Sequence, residues 1–228
     1  MIRFVLLDLD DTILDFRAAE HAALRGALAS LSVPAGEAVL ARYSVINGEH
    51  WKRLERGEIT RAELKTARFC ELFRELGVTA PADEAAHRYE ALLGGEAPLL
   101  PGAAEVLPAL AARYRLFAVT NGTAATQRRR IAGADLARFF EKIFISEEVG
   151  APKPERAYFE ACFAAIPGFC RAEAVIVGDS LTSDIAGGVC AGIRTVWFNP
   201  AHAPTPDAPR VDAQFAALSE LPALLEGM

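Results

Sequence analysis

The sequence of 228 residues has little cysteine and no long apolar run, and each shortage excludes a class of protein. None of the four cysteines forms a C-x-x-C pair, which argues against a zinc site and against a disulfide framework. We therefore expect free, buried thiols in a reducing compartment. The apolar run before Asp8 is too short for a signal peptide, and no later run reaches the roughly 18 residues of a membrane span. These features predict a cytoplasmic protein with no membrane partner.

The chain also lacks a strongly basic surface. Its formal net charge is −6, and the only cluster of Lys and Arg is Arg128, Arg129 and Arg130, which we interpret as a solvated helix face. A polymeric nucleic acid is therefore not expected as a partner. The pattern G-x-x-x-x-G-K-[ST] is absent, which excludes a P-loop NTPase. Composition leaves the oligomeric state open between monomer and homodimer.

What is present is an alternation of short apolar runs and helical stretches. The runs predict five buried strands: Phe4–Leu9, Arg115–Thr120, Lys142–Ser146, Ala174–Gly178 and Thr195–Asn199. Helices are predicted between them, at Ala103–Ala112, from Pro154 onward and at Asp184–Ala191. This alternation is typical of an α/β fold with a doubly wound, Rossmann-like parallel sheet.

Residues 17 to about 93 interrupt the alternation, because they contain no convincing strand. Four helical stretches follow one another there, and the third carries a capping box of Thr60 and Glu63 and ends at Gly77. We expect an inserted α-helical cap domain of residues 16–94, with residues 1–15 and 95–228 forming the α/β core domain.

Polar residues follow four of the predicted strands at their carboxyl ends. In an open α/β sheet, ligands bind at the edge that these ends form. They lie in four segments, namely "DLDDT" (Asp8 to Thr12), "TNG" (Thr120 to Gly122), Lys153, and "GDSLTSD" with Asp179 and Asp184. Clustered carboxylates favour Mg²⁺, since it takes hard oxygen ligands. One carboxylate can then act as a nucleophile and a second, two residues on, as an acid/base, while a lysine and helix N–H groups hold a phosphoryl group. We interpret Asp11 as a solvated turn residue.

These four segments, in this order, resemble the four motifs of the haloacid dehalogenase-like (HAD) hydrolase superfamily, and the helical insert resembles its C1-type cap. The resemblance covers essentially the whole chain. It implies that Asp8 is the nucleophile and that Asp10 is the general acid/base, with its backbone carbonyl on Mg²⁺. It also implies that Lys153 stabilises the nucleophile and the phosphate. Thr120, Asn121 and Gly122 would bind the phosphoryl group, Asp8 and Asp179 would ligate Mg²⁺, and Asp184 would complete the metal site or orient Lys153.

A finer resemblance concerns the substrate, expected to be a small phosphorylated metabolite. The stretches "ISEEVGAPKP" and "NGEHWKRLERGEIT" are similar to the bacterial pyrimidine 5′-nucleotidases, which implies a nucleoside 5′-monophosphate. In that case Asn47, Trp51 and Phe16 are the candidate contacts to the nucleoside.

Other functions stay open or are disfavoured. A phosphatase of a sugar or acylneuraminate phosphate and a phosphomutase fit the same motifs. A 2-haloacid dehalogenase is less favoured, because those members of the family lack the acid that Asp10 supplies here. A phospho-accepting receiver module would need its acceptor Asp after a strand near residue 55, where this sequence is helical.

Overall fold

The computed structural model describes residues 1–228 and contains one parallel sheet of six strands. The strands are β1 (Phe4–Leu7), β2 (Arg115–Thr120), β3 (Lys142–Ile145), β4 (Ala174–Gly178), β5 (Arg194–Phe198) and β6 (Ala213–Phe215). Their spatial order is β3-β2-β1-β4-β5-β6, and the doubly wound parallel sheet predicted above is thereby confirmed. The register places Leu7 of β1 beside Ala118 of β2 on one side and Val177 of β4 on the other. The switch point of this order therefore lies where β1 ends.

Both faces of the sheet are covered, which is why the central strands β1 and β4 are apolar at every position. Val5 and Leu7 face one buried cluster, which includes Leu107 from the helix after the cap. Phe4 and Leu6 face the other, with Phe159. The period of two along β1 thus divides its side chains between two helical layers. The core helices are α5 (Ala103–Ala111), α6 (Ala124–Gly133), α7 (Ser146–Val149), α8 (Arg156–Ala164), α9 (Ala186–Ala191) and α10 (Leu221–Glu226).

Two helix starts differ from the predicted ones. The helix expected from Pro154 begins at Arg156, with Glu155 as its N-cap. The segment expected to be helical from Asp184 first makes a π-type turn over Leu181–Ile185, and α9 follows it. Gly192 ends α9 in the left-handed conformation.

Between β1 and β2 the chain forms four consecutive helices, as the sequence predicts. They are α1 (Phe16–Ala29), α2 (Glu37–Glu55), α3 (Arg61–Leu76) and α4 (Ala82–Leu93). The capping box of Thr60 and Glu63 and the left-handed C-cap at Gly77 are both present on α3. These helices share a buried cluster to which the sheet contributes no residue. A separate cap domain bounded at residues 16 and 94 stays a prediction.

The two chain segments that lead into and out of this insertion are bonded to each other. Leu14 bridges Leu99 in antiparallel fashion, and the amide of Asp15 donates to the carbonyl of Pro98 at 2.9 Å. The chain therefore enters and leaves the insertion at one narrow place. No helix of the structure is long and apolar enough to cross a membrane. All four cysteines are free, but only Cys162 is buried, so the expectation of four buried thiols is wrong.

Candidate active site

A cleft of about 310 Å³ lies at the carboxyl ends of the strands, between the sheet and helix α2. Only two of the side chains around it are hydrophobic, Phe16 and Trp51. The lining residues are Asp8, Asp10, Asp11, Phe16, Gly48, Trp51, Lys52, Glu55, Thr120, Asn121, Gly122, Lys153, Asp179, Ser180, Thr182, Ser183 and Asp184. Every site residue named from the sequence is among them except Asn47.

Lys153 lies at the centre of the core side of the cleft and is 1% exposed. Its ammonium group donates to Asp8 Oδ1 at 2.5 Å, to Asp184 Oδ1 at 2.6 Å and to the carbonyl oxygen of Val119 at 2.9 Å. Three acceptors satisfy the three donors of an ammonium group. Burial by itself would lower the pKa of Lys153, but the two carboxylates raise it above its usual value. Lys153 is therefore a fixed positive charge between two acids.

Three carboxylates lie around the single ammonium group of Lys153, so the negative charge exceeds the positive charge. One carboxylate oxygen from each of Asp8, Asp179 and Asp184 lies within 4.8 Å of the others. Burial raises the pKa of Asp8 to about 8, with Lys153 acting in the opposite direction. Burial, together with Asp8 and Asp184, raises the pKa of Asp179 well above its usual value. The hydroxyl of Thr12 donates to Asp179 at 3.4 Å, and no lysine or arginine pairs with that carboxylate. Three clustered acids, two buried and one half-buried, with a single lysine among them and hard oxygen donors throughout, fit a bound Mg²⁺.

Gly178, the last residue of β4, explains how Asp184 reaches Lys153. A Cβ atom at position 178 would lie 2.2 Å from Asp184 Oδ2. The same Oδ2 accepts from the amide of Ser180 at 3.1 Å, so the carboxylate is held on both sides. A side chain at position 178 would force Asp184 away from the lysine.

The "TNG" segment after β2 joins the site through its side chains in a way that the sequence did not predict. The Asn121 side chain exchanges two hydrogen bonds with the backbone of Lys153, both at 2.8 Å. Its side-chain amide is thus committed to holding the lysine loop, while Asn121 itself lines the cleft, so a contact between its backbone and the phosphoryl group stays a prediction. Thr120 Oγ1 accepts from Gln127 at 2.6 Å, and a Cβ at Gly122 would lie 2.2 Å from the Gln127 side chain. The Thr120 hydroxyl and Gly122 still line the cleft.

Asp10 lines the cleft, but its side chain turns toward helix α6. Gln127 donates to Asp10 Oδ2 at 2.9 Å, and Arg130 forms an ion pair with Asp10 Oδ1. The Asp10 carboxylate is not one of the three clustered acids, so the structure separates it from the candidate metal ligands. Arg130 is 1% exposed, and the interpretation of all three arginines as a solvated face is therefore wrong for this one.

Asp11 is half-buried, so the interpretation as a solvated turn residue is also wrong. Its φ is 56°, a conformation that Asp tolerates better than most residues. Its carboxylate accepts from the backbone amides of Phe16 at 3.1 Å and Arg17 at 3.3 Å. Burial, with the charge of Asp10, raises the pKa of Asp11 to about 6. Asp11 thus fixes the start of α1, and with it the ring of Phe16 beside the cleft.

The cap side of the cleft contains residues that the sequence analysis did not name. Lys52 and Glu55 of α2 line it beside Trp51, and Glu55 accepts from the hydroxyl of Thr182 at 3.1 Å. Arg61, the first residue of α3, lies outside the lining but joins the cap to the core beside the cleft, since it donates to the Asn121 carbonyl oxygen at 3.0 Å and to Ser146 Oγ at 2.9 Å. Its guanidinium carbon lies 5.6 Å from the centre of the Trp51 ring. Helical spacing shows that residues 48, 51, 52 and 55 share one face of α2, but it does not show that this face is the one turned toward the cleft.

Asn47 does not reach the cleft, so the expectation that it contacts a substrate is wrong. It is 2% exposed inside the cap. Its amide donates to Glu20 at 2.7 Å and accepts from Arg68 at 2.8 Å. On a helix of 3.6 residues per turn, Asn47 points about a quarter of a turn away from the mean direction of the four α2 residues that line the cleft. Its role in this structure is to satisfy two buried charges.

Comparison with known proteins agrees with this geometry. Residues 2–192 match the family model of the haloacid dehalogenase-like hydrolases. The chain is 40% identical over 198 residues to the HAD-hydrolase YfnB of Bacillus subtilis, covering 87% of this chain and 84% of that protein. It is also 40% identical over 201 residues to the pyrimidine 5′-nucleotidase PynA of Streptococcus pneumoniae, covering 88% and 85%. The crystal structure of YfnB bound to magnesium superimposes with a TM-score of 0.94 at 38% identity, covering 98% of both chains.

Proposed function

This chain belongs to the haloacid dehalogenase-like hydrolases, and we propose that it is a Mg²⁺-dependent phosphomonoesterase acting on nucleoside 5′-monophosphates, with pyrimidine nucleotides preferred. The observation that carries the phosphatase assignment is the arrangement around Lys153. A buried lysine bridges Asp8 and Asp184, while Asp179 has no lysine or arginine partner. The negative charge of the three acids exceeds the positive charge of the one lysine. The site can therefore bind a cation while one of the acids acts as the nucleophile.

Mg²⁺ would be held by the carboxylates of Asp8 and Asp179, with Asp184 beside them and the backbone carbonyl of Asp10 as a further ligand. The magnesium-bound structure of YfnB supports this assignment. When bound, the ion would offset the mutual repulsion of the acids and the charge of the phosphoryl oxygens. The side chains of Asp8 and Asp10 take part directly in making and breaking bonds.

In the first half of the reaction, a carboxylate oxygen of Asp8 forms a bond to phosphorus while the bond to the leaving oxygen breaks. Asp10 gives its proton to that oxygen, which departs as an alcohol. Lys153 Nζ, 2.5 Å from Asp8 Oδ1, orients the attacking carboxylate and offsets charge on the phosphoryl group. The Thr120 hydroxyl and the Gly122 backbone lie at the edge of the cleft where the phosphoryl oxygens would sit.

In the second half, a water molecule forms a new bond to phosphorus and gives its proton to Asp10. The bond between Asp8 and phosphorus breaks, which releases inorganic phosphate and restores both carboxyl groups. One group thus serves first as acid and then as base, a task that requires Asp10 to lie near both the leaving oxygen and the water.

The preference for nucleotides rests on the cap side of the cleft and on the relative PynA. Phe16 and Trp51 are the two hydrophobic side chains in the lining, and an aromatic ring can stack on a nucleobase. Lys52 beside them adds an amine that could donate to the acceptor oxygens of a pyrimidine. A volume of about 310 Å³ is of the size that small-molecule sites occupy.

A panel of phosphate esters, assayed with Mg²⁺ and with excess chelator, tests both the Mg²⁺-dependent phosphatase activity and the preference for nucleotides. We expect hydrolysis of UMP and dUMP that chelator abolishes and added Mg²⁺ restores, while Ca²⁺ restores it poorly because of its looser coordination. Differential scanning fluorimetry adds a readout besides activity, since a ligand that binds the folded state raises the Tm.

The outcomes of this panel separate the alternatives. Equal or faster hydrolysis of sugar or acylneuraminate phosphates would contradict the nucleotide assignment and leave the general phosphatase. A requirement for a sugar bisphosphate would indicate a phosphomutase. Halide release from a 2-haloacid in excess chelator, without phosphatase activity, would overturn the whole proposal.

A further inference from the structure

Helix α6 carries three consecutive arginines with different surroundings. Arg128 and Arg129 are exposed, and Arg128 pairs with Glu148 on the surface at 2.6 Å. Arg130 is 1% exposed, although a buried guanidinium group is costly unless its donors find acceptors. The contacts of Arg130 therefore call for an explanation that the other two arginines do not need.

Arg130 binds the candidate acid/base from the side away from the cleft. Its Nη1 pairs with Asp10 Oδ1 and donates to Gln127 Oε1 at 3.0 Å. Gln127 in turn donates to the other oxygen of Asp10, Oδ2, at 2.9 Å. Both carboxylate oxygens are thus held by side chains of one helix, and a two-point contact of this kind restricts the rotation of the carboxylate.

The same arginine contacts both segments that join the cap to the core. Its Nε donates to the carbonyl oxygen of Glu96 at 3.0 Å, in the segment that returns from the cap. Its guanidinium carbon lies 5.6 Å from the centre of the Phe16 ring, at the start of α1. Arg130 therefore joins Asp10 to the place where the cap is attached.

Core stability alone does not account for an arginine at this position. The Nη2 group of Arg130 is buried, and no carbonyl or side chain of the protein accepts a hydrogen bond from it. A buried donor without an acceptor destabilises a fold, and an apolar side chain of similar length would avoid that cost. An apolar side chain would, however, lack the positive charge that Arg130 directs at Asp10.

We propose that Arg130 is a positioning residue for the acid/base Asp10, and that Gln127 shares this role. The inference rests on the proposed phosphatase function, in which Asp10 must reach the leaving oxygen. By holding Asp10 relative to the cap attachment, Arg130 sets where the proton is delivered when the cleft contains a substrate. Misplacing a catalytic group by about 1 Å can lower the rate about 100-fold.

The test compares two esters of nearly equal size, phenyl phosphate and p-nitrophenyl phosphate. Nitrophenolate leaves without a proton, whereas the more basic phenolate needs one, so only phenyl phosphate depends strongly on Asp10. We expect Arg130→Met to lower kcat/KM for phenyl phosphate about 100-fold, and for p-nitrophenyl phosphate less than about 10-fold. Arg130→Lys, which keeps the charge, should recover part of the loss.

Two further variants serve as references. Arg128→Met removes a neighbouring arginine that does not touch Asp10, and its ratio of kcat/KM between the two esters should equal that of the wild type. Asp10→Asn should show the largest change in this ratio, and adding Arg130→Met to it should change the ratio no further, since both act on one proton transfer.

Equal losses on both esters in Arg130→Met would overturn the inference, because a merely structural arginine affects both substrates alike. If that variant does not fold, as judged by circular dichroism, an unchanged ratio in folded Arg130→Lys and in Gln127→Met would overturn it equally. A wild-type enzyme that hydrolyses neither these esters nor UMP with Mg²⁺ would refute the proposed function, and the inference with it. If the wild type hydrolyses the esters, and Asp10→Asn changes the ratio of kcat/KM between them while Arg130→Met does not, the inference alone is refuted.

Discussion

The two sides of the cleft are built differently. On the core side, Lys153 is 1% exposed and bonded to two acids and a carbonyl, so each group is held by the others. On the cap side, Lys52 has 54% of its side chain exposed and only a neighbouring glutamate, Glu49, as a partner at 3.5 Å. Reaction chemistry needs fixed groups, while a surface that contacts the leaving group can vary. We therefore expect substitutions on the core side to abolish turnover and those on the cap side to change substrate preference.

The largest effect should come from Asp8→Asn on the core side. The variant keeps the shape of the side chain but removes the nucleophile, and loss of one member of a coupled catalytic set can cost up to about a millionfold in kcat. Steady-state assays with UMP and p-nitrophenyl phosphate measure this, and Asp207→Asn, at an exposed loop position, is the matched control. Wild-type turnover in folded Asp8→Asn would rule out the covalent mechanism.

The next effect should come from Gly178→Ala, which adds a single methyl group. Because the new Cβ would lie 2.2 Å from Asp184 Oδ2, the carboxylate must withdraw from Lys153. We expect kcat/KM to fall about 100-fold for every phosphate ester. Overpacking of this kind also destabilises a fold by about 1–3 kcal/mol, which urea unfolding would measure. A variant that stays fully active would show that the position of Asp184 is not critical.

A smaller and selective effect is expected from Trp51→Ala on the cap side. Loss of stacking on one base is worth about 1–3 kcal/mol, so KM for UMP should rise about 10- to 100-fold. Acetyl phosphate is too small to reach the cap, and its kcat/KM should not change. A similar loss on both substrates, or a lowered Tm without a change in KM, would place Trp51 among the packing residues and contradict the cap-side contact.

The smallest effect should come from Gly48→Ala, the cap-side counterpart of Gly178→Ala. Gly48 lies within α2 and lines the cleft, but nothing lies within 4 Å of a Cβ placed there. Alanine is a better helix former by about 1 kcal/mol, so thermal unfolding should show a more stable protein. Turnover of acetyl phosphate should stay at the wild-type level. A large loss of turnover would break the distinction between the two sides of the cleft.

Much of the site was predictable because its motifs are local in the sequence. An apolar run followed by acids, as in "FVLLDLDDT", indicates a buried strand whose carboxyl end is polar, and parallel strands gather such ends at one edge. Asp8, Lys153, Asp179 and Asp184 were found in this way, and the structure brings them together. The Thr60 and Glu63 capping box was equally visible, since both of its hydrogen bonds join residues only three apart.

Other residues could not be assigned without the packing. Asn47 and Trp51 are four positions apart on one helix, yet one is buried between Glu20 and Arg68 while the other faces the cleft. Arg128, Arg129 and Arg130 look alike in sequence, and only the docking of α6 against Asp10 and Glu96 distinguishes the last one. Arg61 could not be found at all, because its partners Asn121 and Ser146 lie 60 and 85 residues away along the chain.

The sequence by itself thus determined the parallel sheet, the helical insertion and the acids and lysine at the strand ends, because apolar periodicity and strand-end polarity depend on neighbouring residues. Only the tertiary structure decided which side of each helix faces the cleft. The same 3.6-residue period is compatible with several rotations of a helix, and contacts with distant segments select one of them. Asn47 therefore lies inside the cap, and Arg130 lies behind Asp10.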